Sequence, residues 1–126
     1  MTLKYRLIQR VNPRLPNEPR KFYAKSLNRG DVKLRQLAQE IADISTLSTA
    51  DTMAVIESLI QFIPKHITQG QTVRLGDFGS FYIGIRSDGV ETEHEFNANM
   101  IRDLKIYFRP AKELKKALND TEFEKE

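Results

Sequence analysis

The chain has 126 residues, 40% of them apolar and 29% charged, with 20 Lys and Arg, 17 Asp and Glu and no cysteine. That length supports one modest core rather than two full domains, and the apolar share excludes wholesale disorder. The missing thiols exclude disulfides, thiolate metal sites and cysteine nucleophiles, which fits a reducing compartment.

The formal charge of +3 conceals an imbalance. Residues 1–36 hold ten Lys and Arg against Glu18 and Asp31, whereas residues 37–126 hold ten against fifteen acids. A basic end of this kind points to a polyanionic partner. Lys4, Arg6 and Arg10 are followed by no apolar run of signal-peptide length, and the most apolar stretch, residues 54–64, is interrupted by Glu57 and Pro64. The expectation is a soluble cytoplasmic protein with no membrane partner.

Taken in chain order, residues 3–11 alternate, with Leu3, Tyr5, Leu7 and Val11 on one face and Lys4, Arg6 and Arg10 on the other, as in a half-buried strand. Residues 12–21 carry three prolines and read as a loop. Residues 21–27 return as a short strand, so that residues 1–30 form a basic hairpin extension. From Asp31, placed as an N-cap, Leu34, Leu37, Ala38 and Ile41 recur at helical spacing. A break follows, and Ser48 with Asp51 has capping-box spacing for a second helix. That helix bears two apolar stripes, Met53, Ile56, Ile60 and Ile63, then Val55, Leu59 and Phe62. Apolar residues around most of its girth require cover on more than one side, which a second chain provides. Pro64 is expected to kink or end it.

Beyond Gly70 the period becomes two, with Val73, Leu75, Phe81, Ile83 and Ile85 on one face and Arg74 and Tyr82 opposite. Between them Leu75-Gly-Asp-Phe-Gly-Ser-Phe81 reads as a hairpin corner. Residues 86–99 are polar, with turn signals at Asp88-Gly89 and Asn97-Ala98-Asn99. Leu104, Ile106 and Phe108 resume the alternation, leaving Lys105, Tyr107 and Arg109 outward. Pro110 is placed to start a last helix that turns Ala111, Leu114 and Leu118 inward. Residues 120–126 are expected to fray as an acidic tail.

This order of elements, together with the Leu75–Phe81 corner, Thr46-Leu47-Ser48 and the Phe108-Arg-Pro-Ala-Lys112-Glu-Leu-Lys115 ending, resembles the bacterial histone-like HU and integration host factor family over residues 31–119. The resemblance implies an α+β fold that forms an intertwined dimer, with a helical body, an antiparallel β-sheet and a β-arm; the N-terminal hairpin is an addition. It also implies a non-catalytic, nucleoid-associated architectural protein that binds double-stranded DNA with low sequence specificity, as a homodimer or as a heterodimer with another HU-like chain. No cofactor, metal or small-molecule substrate is expected. Matching positions nominate Lys112 and Lys115 on the last helix, aided by its N-terminal dipole, and Lys33 and Arg35 at the start of the first. Arg86, Arg102, Lys105 and Arg109 are nominated on the arm strands. Lys4, Arg6 and Arg10, with Arg14, Arg20 and Lys21, are candidates in the extension.

Two departures stand out. The family's arm tip carries a proline wedge, whereas residues 82–107 contain none and hold Asp88, Glu91, Glu93, Glu95 and Asp103. Phe96 and Met100 are candidates for a substitute wedge, with ordinary packing in the arm or at an interface the favoured role for both. The extension itself is the second departure. An acidic arm also admits an alternative, an interaction module that binds a basic protein or another HU-like chain. Catalysis has little support: His66 and His94 stand in no recognisable motif, and no phosphate-binding loop of the G-x-x-x-x-G-K type exists.

Overall fold

The alternating stretches of the chain build two separate small sheets. The computed structural model describes residues 1–126. In order its elements are β1 (Thr2–Arg10), β2 (Lys21–Ser26), α1 (Leu34–Asp43), α2 (Thr49–Ile67), β3 (Val73–Arg74), β4 (Gly79–Ser87), β5 (Ile101–Pro110), α3 (Lys112–Asn119) and β6 (Glu122–Lys125). They divide between two compact units, Met1–Asp31 with Lys116–Glu126, and Val32–Lys115. No helix is long and apolar enough to cross a membrane.

The first unit is a three-stranded sheet in the order β2-β1-β6. β1 and β2 are antiparallel, with Leu7 opposite Ala24 and Arg6 opposite Lys25. β6 runs parallel to β1, with Leu3 opposite Phe123 and Lys4 opposite Glu124. The tail expected to fray is therefore ordered: Glu122 N donates to Met1 O at 2.9 Å and Glu126 N to Tyr5 O at 2.8 Å. Its four strand residues are too few to announce themselves by periodicity, and the open edge of β1 supplies the backbone partners that order them.

The second unit begins with two helices. Lys33, not Asp31, occupies the N-cap of α1 and makes no side-chain cap bond. Ser48 caps α2, its Oγ accepting from Asp51 N at 3.0 Å, while Thr52 lies buried and bonds Ser48 O. Pro64 does not end α2, which runs on to Ile67. A proline forfeits one intrahelical bond, and here the last turn still closes as Thr68 N and Thr68 Oγ1 both donate to Pro64 O.

The sheet of this unit has the order β3-β4-β5, antiparallel throughout. Its corner, residues 75–79, closes with Leu75 N on Gly79 O at 2.8 Å and Phe78 N on Leu75 O at 3.1 Å. Phe78 and Phe81 both pack on Phe108, with ring centroids 5.4 and 4.8 Å apart. Gly79 is indispensable to this cluster, because a Cβ there would stand 2.5 Å from Phe108 Cε2 and 2.7 Å from Arg109 O. Pro110 completes β5 opposite Gly79 rather than opening α3. The helix starts at Lys112, tied to the corner by Glu113 N on Asp77 O and Ala111 N on Phe78 O.

Pairing of β4 with β5 stops at Ser87 opposite Ile101. Residues 88–100 then fold back on themselves, with 3₁₀ turns at Glu93–Glu95 and Ala98–Met100. Asn97 Oδ1 caps the second turn through Asn99 N, a local bond that competes with strand extension.

What the chain fails to cover is as informative as what it buries. Ala38, Ile67 and Thr52 are buried, whereas Leu37, Ile44, Val55, Leu59, Ile60 and Phe62 on and beside the two helices stay exposed, as do Ile85, Leu104 and Ile106 on the sheet. The accessible surface is 10955 Å², against about 6,900 Å² for a self-contained globule of this mass.

Replacing Gly79 by Ala forces a methyl into the Phe108 ring. We expect a loss of about 1–3 kcal/mol, seen in urea unfolding as a lower midpoint at unchanged slope. An unaltered midpoint contradicts the close packing of this corner.

Candidate nucleic-acid interface

The register of the second sheet sorts its side chains into two sets. Val73, Phe81, Ile83 and Ile85 share a face with Phe108, Ile106 and Leu104. The opposite face is built from four cross-strand rows. Arg74, Ser80 and Arg109 form the first, Tyr82 and Tyr107 the second, Gly84 and Lys105 the third, and Arg86 and Asp103 the fourth. Four cations and one acid thus stand on one surface, with two phenols among them.

The phenols hold a fixed arrangement. Tyr82 and Tyr107 stack with centroids 5.4 Å apart and planes 22° apart, and the Arg109 guanidinium lies 5.6 Å from the Tyr82 centroid, within reach of its π-face. A Cβ on Gly84 would overlap Tyr107 Cε2. The glycine is therefore the floor on which the Tyr107 ring rests. Two shallow clefts open on this surface. One, of about 240 Å³, includes Thr72, Arg74, Ser80, Tyr82 and Arg109 in its wall. The other, of about 430 Å³, includes Gly84, Arg86, Lys105 and Tyr107.

Of the residues nominated from sequence, Arg86, Lys105 and Arg109 come together here. Arg102 does not. Pairing steps from Arg86 opposite Asp103 to Ser87 opposite Ile101, which leaves Arg102 as the extra residue of a bulge. Its Nε donates to Asp88 Oδ1 at 2.6 Å, the one ion pair of the chain. Arg102 thus stands apart from the row of Arg86, Lys105 and Arg109, paired with an acid at the base of the connection.

Lys33 and Arg35 stand at the start of α1, which has no acid in its first turn. Positive charge at a helix N-terminus is disfavoured by the dipole, so these two cations are not there for the helix. Lys112 and Lys115 are exposed on α3. The anticipated help from that helix's N-terminus is reduced, since Glu113 N is already bonded to Asp77 O and Glu113 places an acid in the first turn. Lys4, Arg6 and Arg10 belong to the other unit, all on one face of its sheet.

Arg74, Tyr82 and Tyr107 were not nominated from sequence. Alternation alone put all three on the outer face; the missing signal was the β3-β4-β5 register that lines Arg74 up with Arg109. His66 does no more than bond Gln71 through Nδ1 at 2.7 Å, and no three His, Asp or Glu side chains are grouped to hold a metal ion.

Comparison with known proteins defines the class. Residues 1–125 match the family model described as HU-HIG, an HU domain fused to wHTH, Ig or glycine-rich motif. The chain belongs to the HU-HIG family. No curated protein sequence matches it. Among solved structures it is similar to a candidate bacterial DNA-binding protein from Bacteroides vulgatus ATCC 8482, at a TM-score of 0.68 and 14% identity. The match covers 98% of this chain and 47% of that one, so the chain spans about half the length of the structure it resembles. At that identity the likeness establishes a shared fold.

Substituting Gly84 by Ala should lift Tyr107 off its floor. Cross-peaks between the Tyr82 and Tyr107 rings in nuclear Overhauser spectra should disappear while β4 and β5 amides stay protected from exchange; persistence of the ring contacts argues against this placement.

Proposed function

We propose that the chain is a non-catalytic, architectural DNA-binding protein that grips duplex DNA as a dimer, with little sequence preference. The observation that carries this reading is the outer face of the β3-β4-β5 sheet, where Arg74, Arg86, Lys105 and Arg109 face solvent beside one acid. Their apolar counterparts are all on the reverse side, so the cations are free of the core and available to phosphate. Contacts of this type neutralise backbone charge without reading bases, and they release counterions. Membership of an HU-domain family and the description of the similar Bacteroides protein support the same partner. Lys33, Arg35, Lys112 and Lys115 are further phosphate contacts in this reading.

The dimer supplies the cover that the chain lacks. Obligate interfaces bury roughly 2,000–5,000 Å² in total, about 1,000–2,500 Å² on each chain, and the surplus surface of one chain is more than enough to supply that. Val55, Leu59, Ile60 and Phe62 of α2 are the residues we place at its centre, whether the second chain is identical or another HU-like chain. Pairing two chains doubles the cations offered to one duplex. Residues 88–100 carry no proline and cluster Glu91, Glu93 and Glu95, so we assign the grip to the sheet and not to an inserted tip. Such a protein would be nucleoid-associated. The same glutamates favour the alternative, docking of a basic protein on this connection, which would not depend on Arg74 or Arg109.

Two outcomes follow. In an anisotropy titration of a duplex, log Kobs should fall linearly with log[salt], and replacing Arg74 and Arg109 by Gln should flatten the slope by about 2–4, one phosphate each per chain at ~0.9 per contact. No binding at low salt rejects the DNA reading and favours the alternative. In sedimentation equilibrium the protein should run at twice its 14.6 kDa, and Leu59→Asp should shift it towards monomer; a monomeric wild-type chain rejects the dimer.

A further inference from the structure

We infer that the N-terminal sheet carries a second, separate phosphate-binding face, formed by Arg6, Arg10, Lys21 and Lys25. The register places Arg6 directly opposite Lys25 and Arg10 directly opposite Lys21, with Ile8 opposite Tyr23 between them. Paired residues share a face, so all four cations project from the same side. The reverse side is apolar: Leu3, Tyr5, Leu7, Ala24 and Phe123 line an open groove of about 610 Å³ there. The sheet is therefore two-sided in chemistry.

Like charges directly opposite one another across two strands destabilise a hairpin. Here it happens twice in succession, and no ion pair within the chain relieves it. None of the four has an acid within ion-pair distance, since the one ion pair of the molecule is Arg102 with Asp88. Acids do share the β6 end of this face: Glu124 stands opposite Lys4, and Glu126, one step past the Tyr5–Lys125 pair, lies beside Arg6, whereas the Arg10–Lys21 pair lies beyond the end of β6. A local rule broken twice with no ion pair formed, and at Arg10–Lys21 with no acid in register, marks a surface retained for a ligand. The charge sign selects a polyanion, and the spacing selects a duplex. Positions 6 and 10 are separated by four strand residues, about 14 Å, close to the ~12 Å width of the B-DNA major groove. The two cation pairs can therefore rest on phosphates along opposite walls of one groove, with Tyr23 and Ile8 over the gap. Arg14 and Arg20 in the intervening loop add to the same positive field.

This inference rests on the reading of duplex DNA as the ligand, and it assigns contacts to a unit distinct from the β3-β4-β5 surface. Arg6→Glu with Lys21→Glu turns both repulsive pairs into cross-strand ion pairs. The expected result has two opposed parts: thermal stability is unchanged or raised, while the salt slope for a duplex flattens by at least about 2 for one chain and low-salt affinity drops tenfold or more. Lys125→Glu, a change on the apolar side of the same sheet, should leave the slope as it was. A folded R6E/K21E variant with an unaltered slope, alongside a flattened slope for the Arg74 and Arg109 variant, overturns the second face and spares the first. Lower stability of R6E/K21E also overturns it, because the cations would then serve the fold. Absence of salt-dependent binding by the wild-type chain instead removes the DNA reading on which both faces depend.

Discussion

Strand register is the constraint on which the candidate surfaces depend. Side chains alternate with a period of two, so slipping β4 by one residue against β5 would exchange its apolar set for its polar one. Phe81 opposite Phe108, locked by Phe78 and by the space that Gly79 leaves, prevents that slip. The corner therefore does more than turn the chain. It decides that Arg74, Arg86, Lys105 and Arg109 face outward together, and through Asp77 and Phe78 it also sets where α3 begins.

The same logic governs the N-terminal sheet, with the sign of its stakes reversed. In the second unit the apolar face fixes the register and the cations follow. In the first, the observed register of β1 with β2 sets cations against cations. Both sheets end with one greasy side and one positive side. Such amphipathic layers are incomplete as single sheets, which is why so few side chains, Ala38 and Ile67 among the apolar ones, reach full burial.

Much of this was legible in the amino-acid order. Helical spacing from Leu34 and from Thr49, the Ser48 cap, and the outward positions of Lys105, Tyr107 and Arg109 follow from periodicity and capping chemistry. What periodicity could not convey was pairing. Arg74 belongs to a strand of two residues, too short to carry a pattern, and its importance lies in standing one strand removed from Arg109. Arg102 shows the converse: it was nominated by its matching position on the returning strand, whereas a bulge takes it out of the ladder and pairs it with Asp88. The β6 segment was missed because a four-residue charged strand has no signature of its own, and its partner lies more than a hundred positions away in the chain.

That last pairing bears on how the molecule is made. A nascent chain leaving the ribosome can close β1 on β2 early, since the contact is local, but the other edge of β1 must wait until residue 125 has emerged. Throughout translation of the helices and the second sheet, that edge presents unpaired amides and carbonyls to its surroundings. The N-terminal sheet is thus begun before the helices and completed only after them, its parallel seam joining residues 2–5 to residues 122–125.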